Sequence, residues 1–280
     1  MFKSQIILSI VAVVAVVVLY NLPNVVVDNE QLEINPEIVN EENEGFTLAD
    51  ATLDIHQPSL NSEQIEKINQ LSHKFFASSN PEKSATFADS LAQLFLAANK
   101  YDSAAKYIEL AIANNPITTY WLKAGDIFYM AFQLTEGLQK TRLGGRARLY
   151  FAKALQQGIG DEQEFEVKNK VAMTWVSTST PMKGIQMLRE IIDKEPENEQ
   201  ALFNLGVLSL QSGQLNKAKE RFEQLVSLYP ENIHGQLMLG VSLMELGEPL
   251  QAAERFTKVK EISNDPAIVG MANGYLQEIK

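Results

Sequence analysis

The residue types best suited to acid–base, nucleophilic or metal chemistry are scarce in this sequence and lie far apart. The 280 residues include no cysteine and three histidines, His56, His73 and His234. No histidine has a carboxylate partner at the spacing of a metal site. The nucleophile motif Gly-x-Ser-x-Gly, the phosphate-binding loop and the zinc motif His-Glu-x-x-His are all missing. We therefore expect no enzyme activity, no cofactor and no metal.

The net charge of −11 comes from one segment near the N-terminus. Between Lys3 and Lys67 there is no Lys or Arg, and eleven Asp and Glu residues fall there. The remainder of the chain is close to neutral. Contact with phosphates requires a basic face, which this balance does not suggest. We expect no nucleic-acid partner.

Residues 1–27 are predicted to form a transmembrane anchor. The apolar run from Ile6 to Leu22 has 17 residues, at the short end of what spans a bilayer. A cleaved signal would need small residues near the end of this run, where this chain has Tyr20 and Asn21. A cleaved signal and a buried helix remain the alternatives.

The distribution of charge around the apolar run predicts the orientation of the anchor in the membrane. Lys3 and the acidic segment after the apolar run predict a cytoplasmic N-terminus. For a bacterial chain, this means a single-pass protein of the inner (cytoplasmic) membrane whose bulk is periplasmic. Residues 28–60 are acidic and contain Pro36 and Pro58, which predicts a disordered linker or, alternatively, an acidic recognition tail.

Residues 61–280 contain a pattern of small and aromatic residues that repeats every 34 positions. The pairs are Gly206 and Gly240, Gly213 and Gly247, Ala218 and Ala252, and Phe222 and Phe256. Further copies predict units at 85–117, 118–164 (with an insertion), 165–198, 199–232 and 233–266. A C-terminal capping helix follows at 267–280. Residues 62–77 are predicted to form a helix that covers the first unit or lies in the concave groove of the protein itself.

Each residue type in this pattern has a physical reason. Small residues allow two helix axes to approach closely, and Gly213 and Gly247 can end a helix in the left-handed conformation. One such unit cannot bury its apolar face alone, so the units must stack.

The unit resembles the tetratricopeptide repeat (TPR) family. That resemblance implies an all-α fold, a right-handed TPR α-solenoid of about five helical hairpins plus capping helices. The transmembrane helix and the acidic linker predicted above would precede it. The chain departs from the family pattern at the insertion and at Ser209 and Ser242, where an aromatic residue is usual.

The resemblance also implies a concave groove lined by the first helix of each unit. Toward the C-terminal end this groove is largely apolar, which suits an amphipathic helix or an extended apolar segment. For any one residue, the alternative is packing against the adjoining helix. Lys170 and Asn204 alone suggest a carboxylate clamp, so we do not expect one. The groove candidates are Met173, Val176, Gln200, Phe203, Val207, Leu210, His234, Leu237, Val241 and Met244, with Glu166 and Asn169 in the same register.

The insertion in the second unit is a second candidate surface. Four basic residues lie within nine positions there: Lys140, Arg142, Arg146 and Arg148. We expect either a lengthened helix pair with a solvated basic edge, or a docking site for an acidic partner or lipid headgroups.

Three functions fit these observations. The first is a membrane-anchored scaffold that binds a protein or peptide segment, similar in architecture to bacterial single-span TPR proteins such as the ancillary subunit of the Sec translocon. The second is a chaperone-like holdase or translocon-ancillary factor for newly exported proteins. The third is a self-assembling structural component of an envelope complex, which would form homo-oligomers.

Overall fold

The computed structural model describes residues 60–279. The predicted membrane anchor at 1–27 and the predicted linker, apart from Leu60, lie outside the described residues. Within the described part of the chain, no helix combines the length and apolar character needed to cross a membrane.

The described residues form twelve α-helices and no strand. They are α1 (Ser62–Ala77), α2 (Pro81–Ala97), α3 (Tyr101–Asn114), α4 (Thr118–Gln133), α5 (Gly137–Gln156), α6 (Asp161–Val176), α7 (Pro181–Lys194), α8 (Glu199–Gln211), α9 (Leu215–Leu228), α10 (Ile233–Glu245), α11 (Pro249–Ile262) and α12 (Pro266–Glu278). The all-helical fold predicted from the 34-residue repeat is confirmed.

The helices pack as consecutive hairpins, α2 with α3, α4 with α5, α6 with α7, α8 with α9, and α10 with α11. The second helix of each hairpin also contacts the first helix of the next. Consecutive first helices touch each other directly from α4 through α10. Helix α1 packs before the first hairpin, on α2, and α12 packs after the last one, on α11.

Close helix crossings explain the small residues of the repeat. A Cβ added at Gly206 would lie 2.6 Å from Phe222, and one added at Gly240 would lie 2.6 Å from Phe256. Both phenylalanine rings are fully buried. In each of these hairpins, therefore, the second helix places an aromatic ring directly on a glycine of the first helix. The same contact joins Gly125 to Phe151 in the second hairpin, where the distance is 2.5 Å.

The ends of the helices follow from local chemistry. Gly213 and Gly247 have φ of 71° and 74°, the left-handed region that glycine reaches without steric cost. Asn198 begins α8 by accepting a hydrogen bond from the backbone N–H of Ala201 at 3.0 Å, and Asn232 caps α10 in the same way.

The insertion of the second unit forms helix and not loop. Helix α5 has 20 residues, whereas α3, α7, α9 and α11 have 14 each. Three residues connect α4 to α5, as in three of the four shorter hairpins, and four residues connect α6 to α7. The extra residues thus lengthen the hairpin and place the basic residues of the insertion on helix α5.

Candidate protein-binding surface of the first helices

The C-terminal first helices present apolar side chains that are only half-buried. We call the exposed side of α6, α8 and α10 the first-helix surface. The rings of Phe203 and His234 lie 6.3 Å apart, so the α8 and α10 parts of this surface are in contact. Its half-buried members are Met173, Val176, Phe203, Val207, Leu210, Val241 and Met244. This surface leaves apolar area open to solvent without exposing any one of these side chains fully.

The remaining groove candidates fall into two groups. Gln200 and His234 are exposed at the edge of this surface. Leu237 is 4% exposed and belongs to the apolar core, so the expectation that it is available to a partner is wrong. Leu237 lies in the same buried cluster as Leu225 of α9 and Phe256 of α11.

Asn169 also has a structural role. It is 2% exposed and donates hydrogen bonds to the Phe165 carbonyl at 3.0 Å and to Asn198 Oδ1 at 3.1 Å. Because Asn198 in turn caps α8, this contact fixes the entry of α8 against α6. The sequence shows both asparagines but does not show that they meet.

Toward the N-terminus, the first helices are linked by ion pairs. Lys123 Nζ of α4 lies 2.7 Å from Asp89 Oδ1 of α2. Lys170 Nζ of α6 lies 2.7 Å from Asp126 Oδ1 of α4 and 2.6 Å from Glu166 Oε1. These pairs neutralise charges that would otherwise face the groove.

The electrostatics of Lys170 exclude the role of a free cation. Burial by itself lowers the pKa of Lys170, but the hydrogen bonds and charges of Asp126 and Glu166 outweigh burial and raise that pKa above its ordinary value. Asn204, the second clamp candidate, is buried and accepts a hydrogen bond from Gln200 at 3.1 Å. Both side chains are thus engaged within the chain, and the expectation that there is no carboxylate clamp stays a prediction.

An arginine that the sequence analysis did not single out explains one departure from the TPR pattern. Arg221 of α9 donates hydrogen bonds to Ser209 Oγ at 2.5 Å and to the Leu205 carbonyl at 3.3 Å. Burial and the nearby charge of Arg189 lower the pKa of Arg221. At this position, where the TPR pattern usually has an aromatic residue, the serine hydroxyl accepts a hydrogen bond from a guanidinium of the second helix.

The basic residues of the insertion do not form a solvated edge. Arg146 pairs with Glu109 of α3 and donates to Tyr150 Oη at 2.9 Å, and its side chain is 15% exposed. Arg148 is 8% exposed, with its guanidinium carbon 4.0 Å from the centre of the Trp175 ring. For these two residues the prediction of a solvated edge is wrong, because the lengthened α5 turns them toward α3 and α6.

The other two basic residues lie nearer solvent. Lys140 Nζ lies 4.9 Å from the centre of the Phe132 ring, and Arg142 is exposed. Around Arg146, burial together with the charge of Glu109 raises the pKa of Tyr150 well above its ordinary value. The cluster of Arg146, Glu109 and Tyr150 therefore stabilises the α3–α5 contact. For Lys140 and Arg142, the docking site expected from the sequence stays a prediction.

The described residues contain no group of three or more His, Cys, Asp or Glu side chains arranged to hold a metal ion. The first helices of the hairpins thus present an apolar surface on α6, α8 and α10 and an ion-paired part on α2, α4 and α6.

Comparison with known proteins agrees with this architecture. Two family models described as tetratricopeptide repeat match residues 90–162 and 183–234. No curated protein matches the sequence.

Among solved structures, PilW, described as a widely conserved type IV pilus biogenesis factor, is 18% identical with a TM-score of 0.50, and the match covers 70% of this chain and 90% of PilW. PilF of Pseudomonas aeruginosa is 17% identical with a TM-score of 0.50, covering 71% of this chain and 90% of PilF. YrrB, described as a TPR protein with an unusual peptide-binding site, is 16% identical with a TM-score of 0.44, covering 74% of this chain and 99% of YrrB.

TPR folds are typically non-catalytic modules for protein–protein interaction. The repeats found in the sequence, the hairpins that they form and the two matching family models lead to the same conclusion: the chain belongs to the tetratricopeptide repeat family.

Proposed function

We propose that this protein is a membrane-anchored, non-enzymatic scaffold that binds an apolar segment of another protein on the first-helix surface, on the extracytoplasmic side of the membrane. The observation that carries the proposal is the run of half-buried apolar side chains on α6, α8 and α10, which ends where the ion-paired part of the first helices begins.

The chemistry of this surface selects the kind of partner. Phe203, Val207 and Leu210 come from one helix and Val241 and Met244 from the next, so a bound segment would contact at least two units. An amphipathic helix or an extended apolar segment fits such a surface, because both present apolar side chains in a row. Methionine adapts its shape to different partners, which suits Met244 and Met173 to this role.

The anchor and the linker complete the proposal. A membrane anchor raises the effective concentration of the scaffold near membrane partners, and a flexible acidic linker lets the repeats reach them over roughly tens of ångströms. The support for this part is the sequence of residues 1–60: the apolar run, the single Lys3 before it and the acidic residues after it.

Site-specific photocrosslinking tests the surface. A photoreactive amino acid replaces Gln200, an exposed residue at the edge of the surface, and in a matched control it replaces Glu223, an exposed residue of α9 in the same hairpin. We expect a discrete crosslinked protein from position 200 and none from position 223. A smear of many products at position 200 would favour the holdase, and equal products at both positions would contradict the proposed surface.

The absence of cysteine makes the membrane side testable as well. A single cysteine at Glu223 is the one thiol in the chain, and a membrane-impermeant maleimide reaches it from outside the cytoplasmic membrane if the repeats are extracytoplasmic. Labelling that requires membrane disruption would refute the proposed location.

A further inference from the structure

The last described helix, α12, has one side with nothing packed on it. A Cβ added at Gly270 or at Gly274 would meet no atom within 4 Å. Met271, between them, is 49% exposed, and Ala267 and Gln277 on the same side are exposed as well. Ala272 is the one residue of α12 that is buried.

The same positions are covered one repeat earlier. Gly274 lies 34 residues after Gly240, on which the Phe256 ring rests. Met271 corresponds to Leu237, which is 4% exposed, and Gly270 corresponds to Gln236, which is 2% exposed. Helix α12 is therefore the first helix of a sixth hairpin whose second helix is not among the described residues.

The uncovered side of α12 also lacks the chemistry of a cap. The end of a repeat stack needs a polar outer face to remain soluble. The sequence of α12 has no Lys, Arg or Asp after its N-cap, and its one charged residue is Glu278 in the last turn. The sequence predicts a capping helix here, but the exposed side of α12 has the small and apolar residues of an interior position.

At the opposite end of the stack, helix α1 has the position of a second helix and also leaves one apolar side exposed. Helix α1 precedes the first helix of the first hairpin, the place that a second helix occupies elsewhere in the stack. Phe75 points inward and stacks edge-on against Tyr107 of α3. No residue of α1 is fully buried, and Phe76 is 77% exposed, the most exposed aromatic ring among the described residues.

The two apolar sides of α1 are arranged around its axis as they are in a second helix such as α9. In α9, Leu225 faces the following first helix, because a Cβ at Gly235 would lie 2.9 Å from it. Phe222, three residues earlier and about 60° around the helix, faces the glycine of its own first helix.

The corresponding side of α1 carries Ile65 and Phe76. Ile65 lies three residues before Ile68, which is on the half-buried side of α1 together with Phe75. Phe76 follows Ile65 by eleven residues, which returns to the same side of a helix. Ile65 is 45% exposed. The charged residues of α1, among them Glu63, Glu66 and Lys67, lie elsewhere on its circumference, so this side is uncharged.

From these two ends we infer that copies of this chain associate head to tail, with α1 of one copy packing on the uncovered side of α12 of the next and completing a sixth hairpin between two chains. The contact repeats within the assembly what Phe222 does on Gly206 and Phe256 on Gly240 within one chain, with the apolar side chains of α1 placed on Gly270 and Gly274. Because the two surfaces differ, the contact is heterologous, and it extends into a row or closes into a ring. This inference does not depend on what occupies the first-helix surface.

Thiol crosslinking between two differently tagged full-length copies tests it. One copy carries Asn69→Cys, on the same side of α1 as Phe76 and seven residues before it, and the other carries Met271→Cys; both positions are exposed, and the chain has no other cysteine. The two are co-expressed and treated in isolated membranes with a short bis-maleimide. We expect the mixed dimer to exceed either homodimer by at least about tenfold. A third copy with Glu223→Cys sets the background of random collision.

Every outcome decides the question. Met271→Cys homodimers in excess would mean that α12 pairs with itself, and products at the Glu223→Cys background would mean that the side of α12 is covered by another partner or by residues 1–59 of the same chain. Either result overturns the inference. Adding Gly274→Trp to the Met271→Cys copy should reduce the mixed dimer to background while the circular dichroism of that copy stays helical, because its open position tolerates a side chain in the single chain.

Discussion

Replacing Gly206 with alanine is the most direct test of how the hairpins hold together. The added Cβ would lie 2.6, 2.7 and 3.0 Å from three carbons of the Phe222 ring. Carbon atoms pack best at about 3.5–4.0 Å, so the ring must shift by about an ångström. The ring is fully buried and cannot turn into solvent.

The magnitude follows from two opposing effects. Alanine stabilises a helix interior by about 1 kcal/mol relative to glycine. Overpacking a filled core costs about 1–3 kcal/mol, and three close ring contacts place this substitution toward the upper end. We therefore expect Gly206→Ala to lower the free energy of unfolding by about 1–2 kcal/mol.

Gly274→Ala is the matched control, because it makes the same chemical change at the same position of the repeat where no atom lies within 4 Å. It should leave stability unchanged or raise it by up to about 1 kcal/mol. The assay is urea unfolding of residues 60–280 followed by far-ultraviolet circular dichroism, at dilute protein so that copies stay apart. Linear extrapolation gives the free energies.

A rescue variant separates the clash from other causes. Phe222→Leu by itself should cost about 1 kcal/mol or more, because it leaves a cavity. In the Gly206→Ala background it should cost less, since leucine leaves room for the new methyl group, with a coupling of about 1 kcal/mol. A Gly206→Ala protein as stable as the parent, or costs that simply add, would refute the close crossing.

The other predictions concern the α3–α5 cluster, the helix ends and pH. Arg146→Leu should lower the free energy of unfolding in urea by about 2–3 kcal/mol, because it leaves Glu109 without its guanidinium partner in a largely buried site. Arg142→Ala, at an exposed position, should change it by less than about 0.5 kcal/mol. Equal effects of the two substitutions would contradict the assigned roles. Gly213→Ala should cost about 1 kcal/mol because its φ is 71°, and Gly213→Asn should cost less, since asparagine tolerates that conformation; a greater loss for asparagine in thermal melts would argue against backbone strain. The pKa of Lys170 is raised by folding, so the unfolded chain releases the Lys170 proton near pH 10.5 while the folded chain still holds it. The stabilisation from the charged Lys170 is therefore complete below pH 10.5 and is lost as pH rises through the folded pKa. In urea unfolding, the midpoint of the parent should fall more above pH 10.5 than that of Lys170→Met.

The repeat made much of the architecture predictable. Gly206, Phe222, Gly240 and Phe256 recur at a fixed period, and a period of 34 residues with helical spacing admits few folds other than stacked hairpins. Their close contacts in the structure have the physical cause expected from the sequence: a small residue where two helix axes cross. Gly213 and Gly247, at the ends of α8 and α10, were also predictable, because the left-handed backbone conformation that ends a helix depends on local sequence.

The roles of individual polar residues were less predictable. Arg146 and Arg148 have the composition of a basic patch, and sequence spacing along the chain does not show that Glu109 and Trp175 lie beside them. Leu237 occupies a groove position in the repeat, yet the neighbouring helices bury it. In both cases the deciding contacts join residues that are far apart in sequence.

The sequence alone determined the helical repeat, the close crossings at Gly206 and Gly240 and the absence of cysteine, because these depend on residue types at short or periodic spacing. Only the tertiary structure decided which charges are paired, which groove side chains are open to a partner, and that α12 leaves uncovered the side that α10 buries. Burial and pairing depend on which helices meet in space, and a helix at the end of a stack differs from one in its middle by its neighbours and not by its residues.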